Sequence, residues 1–396
     1  MVDLPVYMDN HATTRVDPRV VEAMLPYFTD QYGNPGSVSH SFGGQAKEAV
    51  DAARAEIAAA IGANDRDIVF TSGATESNNL ALRGIADRAR RKGSHFVTVT
   101  TEHKSVLDPL ARLSRRGYEV TLLSVEQAGS ERAGLVDLQR LSEAIRADTI
   151  LVSVMLANNE IGVIQPLTEI SAICRERGVP LHCDATQAVG KIPVDVDVLG
   201  VDLMSFTAHK IYGPKGVGAL YVRRRNSAAR LQPQIDGGGQ EGGVRSGTLN
   251  VPGIMGFARA VSLCLAEMPE ERVRLAGLRD QLYRGLVERL EGVTLNGPLL
   301  TDERRLAGNL NASFAYVNGE ALMMSMQRLA VSSGSACTSA NPEPSHVLRA
   351  LGLDEDQTRA SLRFGLGRFN TSDEVEFAVG AVAEAVSRLR KLSSLA

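Results

Sequence analysis

Between residues 67 and 222, short apolar runs alternate with helical stretches at a steady rhythm. This alternation limits what the chain can fold into more than any other feature. Strands are expected over 67–71, 95–101, 118–125, 149–156, 180–185, 201–206 and 218–222. Between them lie expected helices: one from the turn at Ser72 to about Ala89, one ending at Arg116, and others over 138–146 and 168–177. Such a rhythm implies an α/β fold with a mostly parallel sheet covered on both faces. Upstream, an alanine-rich helix over 45–60 stops at Gly62. Beyond Pro252 the pattern changes to a long charged helix over 269–291, short strands over 293–295 and 309–315, a helix from Asn318-Gly319, a strand over 361–366 and a last helix from Ser372. That order predicts a smaller α+β C-terminal domain. The expected division is an N-terminal segment, 1–15, lying on the small domain, a large domain over 16–257, and a small domain over 258–396.

Charge and cysteine usage narrow the class. The 43 basic and 46 acidic side chains leave a net charge of −3, which argues against a protein held to nucleic acid by phosphate contacts. Aromatic residues are sparse and tryptophan is absent, so no stacking platform for single strands is evident. The start has no basic region followed by an apolar one, and no apolar run approaches a membrane span. Cys174, Cys183, Cys264 and Cys337 form no CxxC pair and are too scattered for a disulfide framework. A cytoplasmic protein with reduced thiols and no membrane partner is expected.

Candidate chemistry gathers at strand ends. The run 201–206 ends in Thr207-Ala208-His209-Lys210 and a Gly/Pro turn. A lysine there either caps a strand at the surface or reaches a pocket, where desolvation lowers its pKa and makes it nucleophilic. Ser72-Gly73-Ala74-Thr75 joins a strand to a helix, as an ordinary N-cap or as an anion site on free amides. In His182-Cys183-Asp184 only the first and third residues share a strand face, and nothing nearby has the spacing of a closed metal site. Asp184, at a strand's carboxyl end, faces the crevice where open α/β sheets bind ligands. Gly237, Gly239 and Gly242 spell a dinucleotide fingerprint, but neither a buried strand before nor a helix after supports it. Cys337 sits among small polar residues, as a nucleophile on an exposed loop or as a surface thiol, whereas the other three cysteines read as packing residues.

Taken in order, these motifs resemble the cysteine desulfurases of the NifS/IscS type, within the pyridoxal-phosphate-dependent class V aminotransferase family. The resemblance covers nearly the whole chain: residues 8–14 (MDNHATT), 32–35 (YGNP), 71–79 (TSGATESNN), 101–104 (TEHK), 157–162 (ANNEIG), the 182–187 run, the lysine run, 245–248 (RSGT), 332–340 (SSGSACTSA) and 363–368 (RFGLGR). It implies the type I pyridoxal-phosphate fold, aspartate aminotransferase-like, as a homodimer. The implied activity converts L-cysteine to L-alanine with sulfur passing to Cys337 as a persulfide, bound for an acceptor protein such as an iron–sulfur scaffold.

The same resemblance implies residue roles. Lys210 would hold pyridoxal 5′-phosphate and shuttle the Cα proton, and His103 would stack on the ring as an acid/base. Asp184 would pair with the ring nitrogen, with Asn159 and Gln187 on the phenolic side. The phosphate would lie on Ala74, Thr75, Thr207 and His209, with Thr248 from the partner subunit. Arg363 would bind the substrate carboxylate beside Asn159. No resident metal is implied, although Cys337 could transiently ligate a cluster. Two departures stand out: Thr207-Ala208 replaces the frequent Ser-Gly, and 240–242 lacks the arginine usual three residues before Arg245. A transaminase, a selenocysteine lyase or a silent scaffold are the alternatives. The nucleophilic loop cysteine speaks against the first, and the filled chemical positions against the last.

Overall fold

The computed structural model describes residues 2–225, 229–333 and 344–393. Its large sheet contains all seven expected strands: β1 (Ile68–Thr71), β2 (His95–Val99), β3 (Glu119–Leu123), β4 (Thr149–Ser153), β5 (Leu181–Asp184), β6 (Leu203–Thr207) and β7 (Gly218–Val222). They lie in the order β1-β7-β6-β5-β4-β2-β3. The pairs β2–β3, β2–β4, β4–β5 and β5–β6 are parallel. β7 runs antiparallel to both its neighbours. The reason is local: a Gly/Pro turn joins β6 to β7, too short for a crossover helix, and antiparallel strands need only a tight connection. β2, β4, β5 and β6 are buried throughout, while β3, at the sheet edge, is half exposed. The carboxyl ends of β1, β2, β4, β5 and β6 therefore open on one side of the sheet.

One expected boundary is corrected. The helix placed over 269–291 is Val251–Arg289, which starts eighteen residues earlier and runs through Pro269. Tertiary packing overrides the proline, whose missing N–H costs one ladder bond in a long helix held at both ends. Its first half, with Val251, Phe257 and Val261, lies in the core of the large sheet. Its second half, with Leu278, Leu282 and Leu286, lies in the core of the small unit. The helix thus passes through the expected division between residues 257 and 258. It also holds an apolar stretch of membrane-spanning length that the sequence reading did not find, and most of that stretch is buried inside the protein.

The small unit is a four-stranded antiparallel sheet in the order Ser332–Ser333, Ser361–Gly365, Asn309–Phe314, Val293–Leu295. The long helix and Ser372–Ser393 pack together over it, and a Cβ at Gly285 would stand 2.8 Å from Val379 Cγ2, so a side chain there would push the helices apart. The N-terminal segment ties both units. Val6–Tyr7 pairs with Leu329–Ala330, and Gly365 holds Met8 O (2.7 Å) and Asn10 N (3.0 Å).

Candidate active site

A cavity of about 460 Å³ opens at the carboxyl ends of the parallel strands, where the N-terminal segment and the small sheet close over them. β6 delivers Lys210 to it. The strand ends at Thr207, and one 3-10 turn, Ala208–Lys210, swings the side chain into the cavity. Lys210 Nζ donates to the carbonyls of His11 (2.5 Å) and Ala12 (2.6 Å). Close by, burial and then the Lys210 charge bring the Lys191 amine down to about 7.

β5 delivers Asp184. Its Oδ2 accepts from Asn78 Nδ2 at 2.7 Å and its Oδ1 from the Thr186 N–H at 3.0 Å. Asn78 also donates to Ser105 Oγ (2.8 Å), and Ser105 in turn faces His103 Nδ1 at 2.8 Å. The Ser105 N–H donates to the same Nδ1, so that nitrogen is an acceptor and the ring proton sits on Nε2. Burial lowers the His103 pKa and keeps the imidazole neutral. Both side chains line the cavity.

The opposite wall is built for an anion. Helix Ala74–Ala89 begins after Gly73, at φ +151°, and no side chain caps its first turn. The amides of Ala74 and Thr75 therefore lack intrahelical partners and sit at the positive end of a sixteen-residue dipole. Glu76 also lines this wall, its carboxylate accepting from Ser72 N (2.7 Å) and pairing with Arg245 (2.8 Å). His209 lines the same wall, with Nδ1 3.2 Å from Thr13 Oγ1. Thr207 is placed differently from expectation. It lies behind the wall, and its hydroxyl donates to Val217 O at 3.0 Å, so its one proton is not directed at the cavity. Thr248 is exposed and does not line this chain's cavity.

Arg363, on the strand Ser361–Gly365, enters from the small sheet. Its Nη1 donates to Asn159 O (3.2 Å) and its Nη2 to Asp9 Oδ1 (2.8 Å). Gln187 is clamped: Oε1 accepts from Lys191 Nζ (2.5 Å) and faces His11 Nδ1 (3.0 Å), while Nε2 donates to His11 O (2.8 Å). Cys337 falls outside the described residues.

Several side chains around the cavity escaped the sequence reading: His11, Asn78, Ser105 and Lys191. Asn78 and Ser105 carried a signal, being polar residues on the inner face of helices that follow strand ends. His182 is structural, bridging Ser153 Oγ and Ser205 Oγ at 2.8 and 3.1 Å. The glycine-rich stretch at 237–242 is loop and a 3-10 turn, in which Glu241 accepts from Arg54 and from Phe70 N at 2.6 and 2.7 Å.

The class-V aminotransferase model matches residues 6–377. A cysteine desulfurase IscS of Anaeromyxobacter dehalogenans (strain 2CP-C) is 57% identical over 392 residues, 99% of this chain and 95% of the relative. One from Klebsiella pneumoniae (strain 342) is 53% identical over 394 residues, again 99% and 95%. The chain belongs to the cysteine desulfurases of the class-V aminotransferase family. Among solved structures, a NifS-like protein superposes on this desulfurase with a TM-score of 0.88 at 38% identity, over 97% of this chain and 100% of that one. SspA, solved in complex with cysteine, gives 0.79 at 36% identity, over 92% and 100%. The desulfurase thus has the type I fold expected from its motifs, with β7 and the seven-strand order as its frame.

Proposed function

We propose that the cavity takes pyridoxal 5′-phosphate and L-cysteine, and that the enzyme releases L-alanine while its sulfur passes to Cys337. The observation that carries this is the sharing of one cavity by the Lys210 amine, the Asp184 carboxylate and the uncapped start of helix Ala74–Ala89. These residues fit the cofactor. Gly73 and Gly216, at φ +151° and +80°, have no heavy atom within about 3.5 Å of where a Cβ would stand, so the wall stays open for a bulky anion. A carboxylate held by two donors suits a protonated ring nitrogen, and free helix amides with His209 suit a phosphate. When bound, pyridoxal phosphate supplies a carbon that condenses with amines and a ring that draws electrons from the substrate Cα.

The chain's own groups do the rest. Lys210 binds the cofactor and moves the proton at the substrate Cα. Asp184 holds the proton on the ring nitrogen. His103, which would stack on the ring, is the acid/base facing the cavity. Arg363 takes the substrate carboxylate, aided by Asn159, and Gln187 stands on the phenolic side. Ala74, Thr75 and His209 hold the phosphate. Thr207 stands behind them, its hydroxyl on Val217 O. A Cys337 thiolate attacks the substrate sulfur. The new S–S bond forms as the C–S bond breaks, and with the proton on carbon the products are alanine and an enzyme persulfide, with no outside oxidant.

We further infer a homodimer in which the partner's copy of residue 248 completes the phosphate site. Supporting it, Leu25, Phe28, Tyr32, Val38 and Phe42 are exposed apolar side chains within residues 25–42, with the Tyr32 and Phe42 ring centroids 5.5 Å apart. A sulfur-acceptor protein such as an iron–sulfur scaffold, and a cytoplasmic setting, complete it. Cys174, Cys183 and Cys264 are unpaired and buried, as suits a reducing compartment. We would test the reading by reducing the purified enzyme with borohydride. Loss of the blue–violet absorption band, with the cofactor's mass fixed on the Lys210 peptide, supports it. Cofactor on another residue, or no alanine from cysteine, overturns it.

A further inference from the structure

Arg363 is 1% exposed, yet its guanidinium is already engaged. Nη2 donates to Asp9 Oδ1 (2.8 Å) and Ser332 Oγ (3.2 Å), and Nη1 donates to Asn159 O (3.2 Å). Nε is buried without a partner. A carboxylate takes two parallel N–H bonds from one edge of the guanidinium plane, either the terminal edge or the edge shared with Nε. Nη2 has one hydrogen on each edge, and both are spoken for. A substrate carboxylate can therefore form a fork only if a partner of Nη2 leaves.

Of those two partners, Asp9 is the one that must go. Two carboxylates on one guanidinium repel, whereas the Ser332 hydroxyl is neutral. The Asp9 side chain is 18% exposed, so it can return to water without being stranded in the core. Its backbone stays where it is, because Gly365 is hydrogen-bonded on both sides of it, to Met8 O and Asn10 N. The movement needed is a rotation about the Asp9 Cα–Cβ bond.

We propose that Asp9 is a resident carboxylate that occupies Arg363 until the substrate carboxylate displaces it, and so sets the affinity for amino-acid substrates. This rests on Arg363 being the carboxylate-binding residue. The arrangement keeps a buried cation paired while the site is vacant, since an unpaired one would be strongly destabilising. It also discriminates: a thiol-bearing amine with no carboxylate has nothing to exchange for Asp9.

The test compares the cofactor-loaded enzyme with Asp9→Asn, which keeps size and loses charge. Calorimetry with propionate, a carboxylate lacking both amine and thiol, should show dissociation constants lower by about tenfold in the variant, the effect of no longer displacing one charge-assisted hydrogen bond. KM for L-cysteine should fall in the same direction, and inhibition by cysteamine, which has no carboxylate, should change by less than about twofold. Asp9→Ser should behave like Asp9→Asn, and covers the case in which one variant folds poorly. Arg363→Lys separates the two claims. If it leaves propionate binding untouched, the carboxylate assignment itself fails. If it weakens propionate while neither Asp9 variant strengthens it, the exchange alone is overturned.

Discussion

Asn78 Nδ2 lies 2.7 Å from Asp184 Oδ2, and this bond aims the carboxylate at the cavity. Asn78 spends its amide protons on Asp184 and Ser105, while its own Oδ1 is buried without a partner. A structural asparagine would not leave that acceptor stranded for a neutral gain. Asn78→Ala should leave Asp184 with the Thr186 N–H alone. We expect kcat to fall by about tenfold, the scale of one charge-assisted bond, with weaker cofactor binding in a fluorescence titration. Unchanged values would mean that Thr186 alone suffices.

Lys210→Ala should abolish turnover, because the covalent hold and the proton carrier are lost together. The two carbonyls that accept from Nζ, His11 O and Ala12 O, would lose their donor, so a small fall in melting temperature should accompany it. Alanine formation at more than about 5% of the wild-type rate would remove Lys210 from its role.

Glu160 makes stability depend on pH. Burial is the leading cause that raises its carboxyl to about 7, against which the Ser345 hydroxyl bond and Arg363 pull down. A carboxyl with a raised folded-state pKa binds more protons folded than unfolded between its ordinary value and about 7. Its contribution is thus full below the ordinary carboxylate pKa and is lost as pH rises through about 7. Glu160→Gln mimics the protonated form. It should match the wild type near pH 4.5 and exceed it above pH 7.5, by at most on the order of 3 kcal/mol. Urea melts at the two pH values decide; a parallel pH dependence in both proteins would rule out a raised Glu160.

The strand–helix rhythm made the sheet legible, because strands buried on both faces read as unbroken apolar runs. Expected strand ends ran past the observed ones by up to three residues, since apolar character continues into the loops beneath the cavity, as at Val154 and Leu156, both fully or nearly buried. The start of the long helix was not legible. Proline at 269 reads locally as a boundary, and only packing against two cores carries the helix through it. At the site, Lys210, Asp184 and Arg363 stood in motifs. In the His11–Gln187–Lys191 cluster, His11 and Gln187 stood in motifs and Lys191 did not, and the contact between the first two spans 176 positions of sequence, so no local spacing announced it.

If residue 248 of one subunit completes the phosphate site of the other, each active site is composite and an isolated chain is inactive. Lys210→Ala and Thr248→Ala chains, each impaired alone, should then regain activity on mixing, since every hybrid dimer holds one site with both residues intact. Light scattering should give twice the chain mass. An active species of single-chain mass would defeat the dimer reading.

Cys337 differs in its chemistry from the other three thiols. Burial pushes the thiols of Cys174 and Cys264 up to about 12, and that of Cys183 well above its ordinary value, with Asp184 and Glu102 adding to the last. Only the thiolate is nucleophilic, so at pH 8 these three are almost wholly protonated and inert. Iodoacetamide should therefore label the folded enzyme on Cys337 alone, and on all four cysteines after denaturation. Turnover with L-cysteine should likewise add one sulfur to the peptide carrying Cys337. Cys337→Ser keeps size and polarity, but its hydroxyl is a far weaker nucleophile at neutral pH. That variant should bind pyridoxal phosphate as the wild type does, still change its absorption spectrum when cysteine is added, and fail to release alanine at a useful rate. A serine variant that still forms alanine, or a persulfide on Cys174, Cys183 or Cys264, would move the acceptor elsewhere and would require one of the buried thiols to become exposed during turnover.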